Sequence, residues 1–330
     1  MYWPLAVPPV PSKLTPSYRH TQTHDVFQQA GALSSWTQDY IQISEGAFSG
    51  FLTELSLGPI QLFRESMDKA VDEQGQPRAN TFAIGVPMET CGDGYWCGDA
   101  LIPDSIFFLQ PNAQLQFRTP MKSDICVAMI DCELLNAYAE NTERVSLKHL
   151  LATSGVQEAD PLLCMHMRRC FTDIFDGLRN NHSGLDVEPS RHVMLSDIMS
   201  SLFDGLHMIC KVKNGHRGQF VHRHIVEKAK EFILSRQENP PTILEICDEL
   251  RISRRTLHYG FTKVLGINPV TFLRFLRLNG ARRDLLSAEH PLPLICDVAA
   301  RWGFWHMGMF STYYKELFGE NPSQTTRLRG

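Results

Sequence analysis

The chain of 330 residues lacks several features that mark common classes of protein. No apolar run approaches the ~18–20 residues needed to span a bilayer, and no basic segment followed by an apolar one opens the chain, so neither a membrane helix nor a signal peptide is predicted. Its nine cysteines are scattered and form no C-x2-C pair, which argues against a disulfide framework and a structural zinc site. We therefore expect a cytoplasmic protein with reduced thiols, no metal and no membrane partner.

Signatures of enzymatic chemistry are also missing. The sequence contains no G-x-S-x-G, no P-loop and no G-x-G-x-x-G. No histidine lies between Asp25 and Lys148, although the chain has 13, so a histidine-based metal centre is excluded from that region. Cys91 and Cys97 stand in a glycine-rich loop at a spacing that fits neither a zinc knuckle nor a redox C-x-x-C pair. We predict that the chain is not an enzyme and has no catalytic residues.

Charge is distributed unevenly between the two halves. Residues 222–330 hold 16 Lys and Arg against 11 Asp and Glu, a net charge of +5, whereas residues 1–221 carry −9 of the overall −4. A basic module attached to an acidic one is typical of a nucleic-acid-binding domain carried by a domain that does not touch phosphate. The alternative interpretation of this charge difference, taken alone, is chance variation across a large protein.

The amino-terminal half changes character along its length. Prolines crowd residues 1–22 and predict a flexible arm. Leu33, Trp36 and Tyr40 share one face of a predicted short helix, Ala30–Tyr40. Short apolar runs bounded by Gly, Asp and Pro then predict a β sandwich or barrel within residues 23–135. The predicted strands are Phe48–Leu57, Ile60–Met67, Thr81–Val86, Asp104–Gln110, Gln114–Arg118 and Ile125–Asp131.

A helical segment is predicted over residues 136–212, with helices at Pro161–Arg179 and Arg191–Val212. Apolar residues of the second helix recur at intervals of 4, 3, 4 and 3, at Leu195, Met199, Leu202, Leu206 and Ile209. This is the rhythm of a coiled-coil seam, and an intramolecular hairpin would produce the same pattern. Residues 213–221, with KNGHRGQ at their start, have the composition of an interdomain linker.

The carboxyl-terminal region, residues 222–330, repeats one pattern: a short amphipathic helix, a tight turn and a second amphipathic helix. The two units span about 242–265 and 293–318. Four residues of the first recur 53 positions later in the second: Leu257, Phe261, Gly266 and Pro269 become Phe310, Tyr314, Gly319 and Pro322. Two helix-turn-helix units at a fixed spacing can enter successive major-groove faces of one DNA duplex.

One set of residues carries a family resemblance: Ala299, Gly303, Phe304, Phe310, Tyr314, Lys315, Gly319 and Pro322. Their pattern, A-x3-G-F-x5-F-x3-[FY]-K-x3-G-x2-P, resembles the AraC/XylS family of bacterial transcription regulators over about the last hundred residues. The resemblance implies an α+β multidomain chain: a cupin-like jelly roll that holds a small effector, a helical dimerisation segment, and an all-α double helix-turn-helix domain. It implies a homodimeric activator that binds promoter DNA.

Within the family, the GFWHMGMF and SRRTL segments are most similar to the ethanolamine-operon regulators. That similarity implies ethanolamine, with a cobalamin-type cofactor, as the signal. Two alternatives stay open: an effector-independent regulator of virulence or cell–cell signalling genes, and a DNA-binding accessory protein that only dimerises. Trp302 and Trp305 flank the Gly303 turn; both fit a core, and Trp305 fits a contact to the DNA backbone or RNA polymerase equally well.

Because the apolar residues of the first unit must point inward, its second helix presents a polar face. Arg255, His258 and Tyr259 occupy positions that the family uses for bases or adjoining phosphates, and arginine to guanine is the commonest specific base contact. Arg254 and Lys263 are better phosphate candidates. The alternative is a solvated cationic face without a DNA contact.

The second unit departs from the family at its exposed positions. Base-contact candidates there are Met307, Gly308, Ser311 and Thr312, where many members have a serine in place of Gly308 and an arginine in place of Thr312. Methyl groups, one hydroxyl and a close backbone approach are all that this helix offers to bases, and Lys315 is its phosphate candidate. We therefore expect the first unit to carry most of the sequence discrimination.

Overall fold

The computed structural model describes residues 15–140, 154–180, 182–209, 220–236, 241–287, 294–304 and 307–326. The strands are β1 (Ser17–Thr23), β2 (Trp36–Gln42), β3 (Gly50–Ser56), β4 (Ile60–Met67), β5 (Val71–Pro77), β6 (Thr81–Cys91), β7 (Gly94–Trp96), β8 (Asp99–Leu101), β9 (Ser105–Leu109), β10 (Leu115–Arg118), β11 (Lys122–Asp131) and β12 (Gly155–Glu158). The helices are α1 (Val26–Ala32), α2 (Cys132–Tyr138), α3 (Pro161–Asn180), α4 (Glu188–Ile209), α5 (Phe220–Leu234), α6 (Ile243–Leu250), α7 (Arg254–Leu265), α8 (Pro269–Ser287), α9 (Ile295–Arg301), α10 (Met307–Phe318) and α11 (Pro322–Thr325).

The strands form two antiparallel sheets that face each other. One sheet has the order β1-β3-β4-β11-β6-β9-β12 and the other β2-β5-β10-β7-β8. Alternate residues of each strand point between the sheets, where Trp36, Trp96, Phe107, Phe117 and Val127 share one core. The predicted β-rich amino-terminal domain is confirmed, in the two-sheet layout expected of a jelly roll.

The outer face of the seven-stranded sheet is covered by α3 and α4, so this half of the molecule has three layers. Met199 and Leu202, from the heptad-like pattern of α4, are fully buried against that sheet and α3. At these positions the prediction of helix packing within the chain is therefore correct. The alternative, a coiled-coil seam exposed to a second helix, is wrong there. The side chains of Leu206 and Ile209 lie outside the described residues.

Several predicted boundaries differ from the structure. Trp36–Gln42 is strand β2 rather than part of a helix over Ala30–Tyr40, because alternation and not helical spacing brings Trp36 and Tyr40 inward. The arm predicted over residues 1–22 includes Ser17–Gln22, which pair with β3 as part of β1. The helical segment contains β12, which pairs with β9. Most of the predicted linker, 213–219, lies outside the described residues.

The carboxyl-terminal helices form one core, and the repeated residues build it. Leu257 and Phe261 in the first unit, like Phe310 and Tyr314 in the second, are fully buried. Gly266 and Gly319 end the second helix of each unit in the left-handed conformation, at φ 70° and 73°, which favours glycine because it has no Cβ. The all-α double helix-turn-helix fold is confirmed.

The two domains are docked against each other. Ile41, Ile43 and Ala70 of the amino-terminal domain join the core of the carboxyl-terminal helices. Buried ion pairs cross the same boundary: Lys230 on α5 contacts Asp72 on β5, with the Lys230 Nζ atom 2.7 Å from Asp72 Oδ1. Apolar contact and fully desolvated charge pairs together fix one arrangement of the helices on the barrel.

Candidate nucleic-acid interface

Local sequence signals define the first helix-turn-helix unit. Helix α6 starts in a capping box, in which the Thr242 amide donates to Glu245 Oε2 at 2.7 Å and the Glu245 amide donates to Thr242 Oγ1 at 3.3 Å. Arg251 ends the helix at φ 52°. The Ser253 hydroxyl then caps α7 by accepting the Thr256 amide at 3.1 Å. The turn and the direction of α7 are thus specified by neighbouring residues.

Helix α7 presents its predicted contact residues together. Arg254, Arg255, His258, Tyr259 and Lys263 are all exposed. Arg255, His258 and Tyr259 also line an open concavity of about 490 Å³. Side chains one turn apart on a helix share a face, so Arg255 and His258 can reach neighbouring base edges together.

The second unit exposes fewer charged side chains among its predicted contact residues. Gly303, at φ 77°, makes the turn between α9 and α10. Gly308, Thr312 and Lys315 are exposed, and Ser311 is half-buried. The Thr312 hydroxyl donates to Gly308 O of its own helix at 3.0 Å. The structure therefore brings these predicted candidates onto one face of α10. The main groups exposed there are the methyl group of Thr312 and the backbone of Gly308.

Met307 is less available than predicted, because it is half-buried and packs against the helical core. Met309 is 42% exposed beside it, and the sequence signal that could have identified it is its position one residue before the buried Phe310. Trp302 is buried and its indole nitrogen donates to Asp284 at 3.0 Å, so it is a core residue. Trp305 lies outside the described residues.

Helix α8 joins the units, and its four arginines, Arg274, Arg277, Arg282 and Arg283, predict a basic surface from the sequence. The structure buries one of them. Arg282 is 5% exposed and contacts Asp25 of the amino-terminal domain as well as Glu320, whose Oε1 lies 2.7 Å away. Burial alone lowers the pKa of this guanidinium, but the Asp25 charge and Tyr314 raise it above its ordinary value. Burial also raises the pKa of Tyr314 to about 12. These groups form a structural cluster, fixed in the ionised guanidinium and neutral phenol forms.

The amino-terminal barrel has a polar group inside it. Glu65 accepts hydrogen bonds from the Tyr40 hydroxyl at 3.0 Å and from Gln29 at 2.9 Å. Burial raises the pKa of Glu65 to about 7. Burial, together with the Glu65 charge, raises the pKa of Glu73 well above its ordinary value, and Gln38 donates to Glu73 at 3.0 Å. Among the described residues, His, Cys, Asp and Glu form no cluster able to hold a metal ion, and no described helix is long and apolar enough to cross a membrane.

Two helix-turn-helix units on one core, each turning part of its second helix outward, define a double helix-turn-helix DNA-binding domain. Residues 246–328 match a family model described as "Helix-turn-helix domain". The carboxyl-terminal domain is similar to regulators of the AraC/XylS family.

Relatives share this domain. The chain is similar to the probable thc operon regulatory protein of Rhodococcus erythropolis, with 35% identity over 31% of each chain. It is also similar to XylDLEGF operon transcriptional activator 2 of Pseudomonas putida, with 29% identity over 31% of this chain and 65% of that one. A solved AraC-type regulator from Chromobacterium violaceum is 26% identical over 33% of this chain and 94% of its own, with a TM-score of 0.31. The matches span less than two thirds of the length of both curated relatives.

Proposed function

We propose that this chain is a sequence-specific transcription activator that binds two successive major-groove faces of promoter DNA. The observation that carries the proposal is the pair of outward helices, α7 and α10, which helix α8 joins within one core. Two relatives, a probable operon regulatory protein and an operon transcriptional activator, support the same class of function.

In this proposal Arg255, His258 and Tyr259 contact bases, with Gly308, Ser311, Thr312 and the half-buried Met307 as the weaker second set. Arg254, Lys263 and Lys315 contact phosphates, which give affinity and salt dependence without sequence information. The exposure of the cations on α7 supports this division.

A selection from random duplexes with the full chain tests the proposal. We expect enrichment of a site with two conserved half-sites about 10–10.5 base pairs apart. The variant Arg255→Ala should relax preference at one position of one half-site. Recovery of unenriched DNA at low salt would contradict sequence-specific binding.

We further propose that the amino-terminal domain responds to a small effector and that the protein acts as a cytoplasmic homodimer. The buried Glu65, Glu73 and Tyr40 give this domain a polar interior, which supports a polar effector. An ethanolamine-type signal, with or without a cobalamin, fits this chemistry and the sequence similarity to ethanolamine-operon regulators.

The homodimer proposal rests on exposed apolar residues of the helical layer. Leu162 and Met165 on α3 are 65% and 51% exposed, and Val193 on α4 is 57% exposed. Apolar side chains on one outer layer favour a protein contact. Sedimentation of wild type against Leu162→Glu with Val193→Glu tests the interface, and an unchanged dimer would place it elsewhere.

Thermal melts of the full chain with ethanolamine, cobalamins and their mixture test the effector. A ligand that binds only the folded state raises the melting temperature with its concentration. Absence of any shift would instead favour the accessory protein that only dimerises.

A further inference from the structure

We propose that the amino-terminal domain positions the second recognition helix directly, by capping the carboxyl end of α10 with Gln42 and Gly46. The consequence for DNA reading rests on the proposed function, whereas the cap itself can be tested without DNA. Through this direct contact, a change in the amino-terminal domain can affect the position of α10 without acting through the linker between the domains.

The geometry at the end of α10 carries the proposal. The side-chain nitrogen of Gln42 lies 2.6 Å from Leu317 O. The Gly46 amide lies 3.0 Å from Glu316 O and 3.1 Å from Leu317 O. The last carbonyls of a helix have no partner within the helix. Here two of them are satisfied by donors from the other domain.

The capping segment is itself held on both sides. Asn279 of α8 is 2% exposed; its Oδ1 accepts the Gln42 amide at 3.2 Å and its Nδ2 donates to Gln42 O at 3.1 Å. On the barrel side, the Ile43 amide donates to Ala70 O at 2.9 Å and the Ala70 amide donates to Ser44 Oγ at 2.8 Å. A shift of the barrel edge therefore moves the cap.

Close backbone packing adds a second constraint at the same place. Gly46 adopts φ 109°, and Gly319, just past α10, lies so close to Ala47 that a Cβ there would stand 2.7 Å from the Ala47 nitrogen. At the matching end of α7, a Cβ on Gly266 would meet the tip of the Arg118 side chain instead. A side-chain tip can move aside, whereas a backbone cannot. The barrel thus restrains α10 more tightly than α7.

Hydrogen exchange of the full chain tests the cap without DNA. Gln42→Met keeps the side-chain volume and removes both N–H donors. We expect amides of Glu316–Phe318 and Gly46 to exchange about five- to tenfold faster than in wild type, with α7 unchanged. The matched control is Gln76→Met, an exposed glutamine on β5, the strand paired with β2.

Two results would overturn the proposal: unchanged exchange in α10, or an equal increase in α7 and α10. If Gln42→Met does not fold, as judged by fluorescence of the buried Trp36 and Trp96, Asn279→Ala replaces it. That change releases the capping segment from α8 and predicts the same exchange pattern.

Binding to duplexes with either half-site scrambled then tests the functional consequence. We expect Gln42→Met to lose about threefold or more of the discrimination at the half-site read by α10 and to keep that at the other. Equal loss at both half-sites would refute the selective coupling. If wild type shows no sequence preference at all, the proposed function fails, while the exchange experiment still decides whether the cap exists.

Discussion

In the first helix-turn-helix unit, the recognition helix exposes two arginines, a histidine and a tyrosine, whereas the 53-residue shift places uncharged residues at the same positions of the second. Arg254 corresponds to Met307, Arg255 to Gly308, His258 to Ser311 and Tyr259 to Thr312. The buried positions barely differ, since Leu257 and Phe261 match Phe310 and Tyr314, all fully buried.

The difference shows that scaffold and surface are separable in this domain. Core residues are constrained by packing, so the repeat persists there. Surface residues are constrained only by what they contact. The first helix exposes the stronger candidates for base contact, and the second has the tighter contact with the amino-terminal domain through Leu317 and Gly319. We interpret the first unit as the main reader and the second as the unit that the other domain controls.

The largest effect in this comparison is expected from Arg282→Met. The change leaves Asp25, which is 4% exposed, buried without its cation, and losing one partner of a buried pair costs about 3–5 kcal/mol. Urea unfolding of the full chain measures it. Arg283→Met is the matched control, because its pair with Asp39 is half-exposed and such pairs contribute about 0–1 kcal/mol. Similar losses from the two variants would show that the Arg282 cluster does not anchor the second unit.

A smaller loss is expected from Gly319→Ala. Both Gly319 and Gly266 have positive φ, and a non-glycine residue in that conformation costs about 1–2 kcal/mol. Only Gly319→Ala also meets a neighbouring backbone, that of Ala47, so we expect about 2–4 kcal/mol in total. Thermal unfolding of Gly319→Ala beside Gly266→Ala measures the difference. If the two variants melt together, the barrel does not press more tightly on the second unit.

The sequence predicted the carboxyl-terminal domain well because its signals are local. Thr242 with Glu245, Ser253 and the glycine turns each act within a few residues. Strand β5, VDEQGQP, escaped prediction because its buried residues include Asp72 and Glu73. Asp72 is stabilised there by Lys230, 158 residues away in the sequence.

The outward-facing residues of α7 could be predicted from the sequence for the same reason. The contacts between the two domains could not. Burial of Leu257 and Phe261 fixes which residues of α7 face outward, and that pattern is visible in the sequence. Arg282 looked like a surface cation, since its partner Asp25 is 257 residues away. Gln42 likewise gave no signal, because its acceptor at Leu317 is a backbone carbonyl in the other domain.

On DNA, Arg255→Ala should weaken binding by about 1–3 kcal/mol and relax the preference at one base pair. Thr312→Ala is the comparison in the second unit. Its hydroxyl already donates to Gly308 O, so only a methyl contact can be lost, and we expect a change within about 0.5 kcal/mol. Titrations at one fixed salt concentration measure both. Equal losses of binding free energy in the two variants would contradict the interpretation that the first unit is the main reader.

The smallest effect is expected from Lys263→Ala, which removes an exposed cation near the end of α7. If Lys263 contacts a phosphate, affinity falls to a similar degree on every sequence and the slope of log K against log salt decreases by about 1. The corresponding residue of the second unit is Glu316, which contributes no counterion release, so Glu316→Ala should leave that slope unchanged or steepen it slightly. Binding at four or more salt concentrations distinguishes these outcomes. A change in base preference with an unchanged slope would make Lys263 a base contact and extend the reading surface of α7 by one further turn.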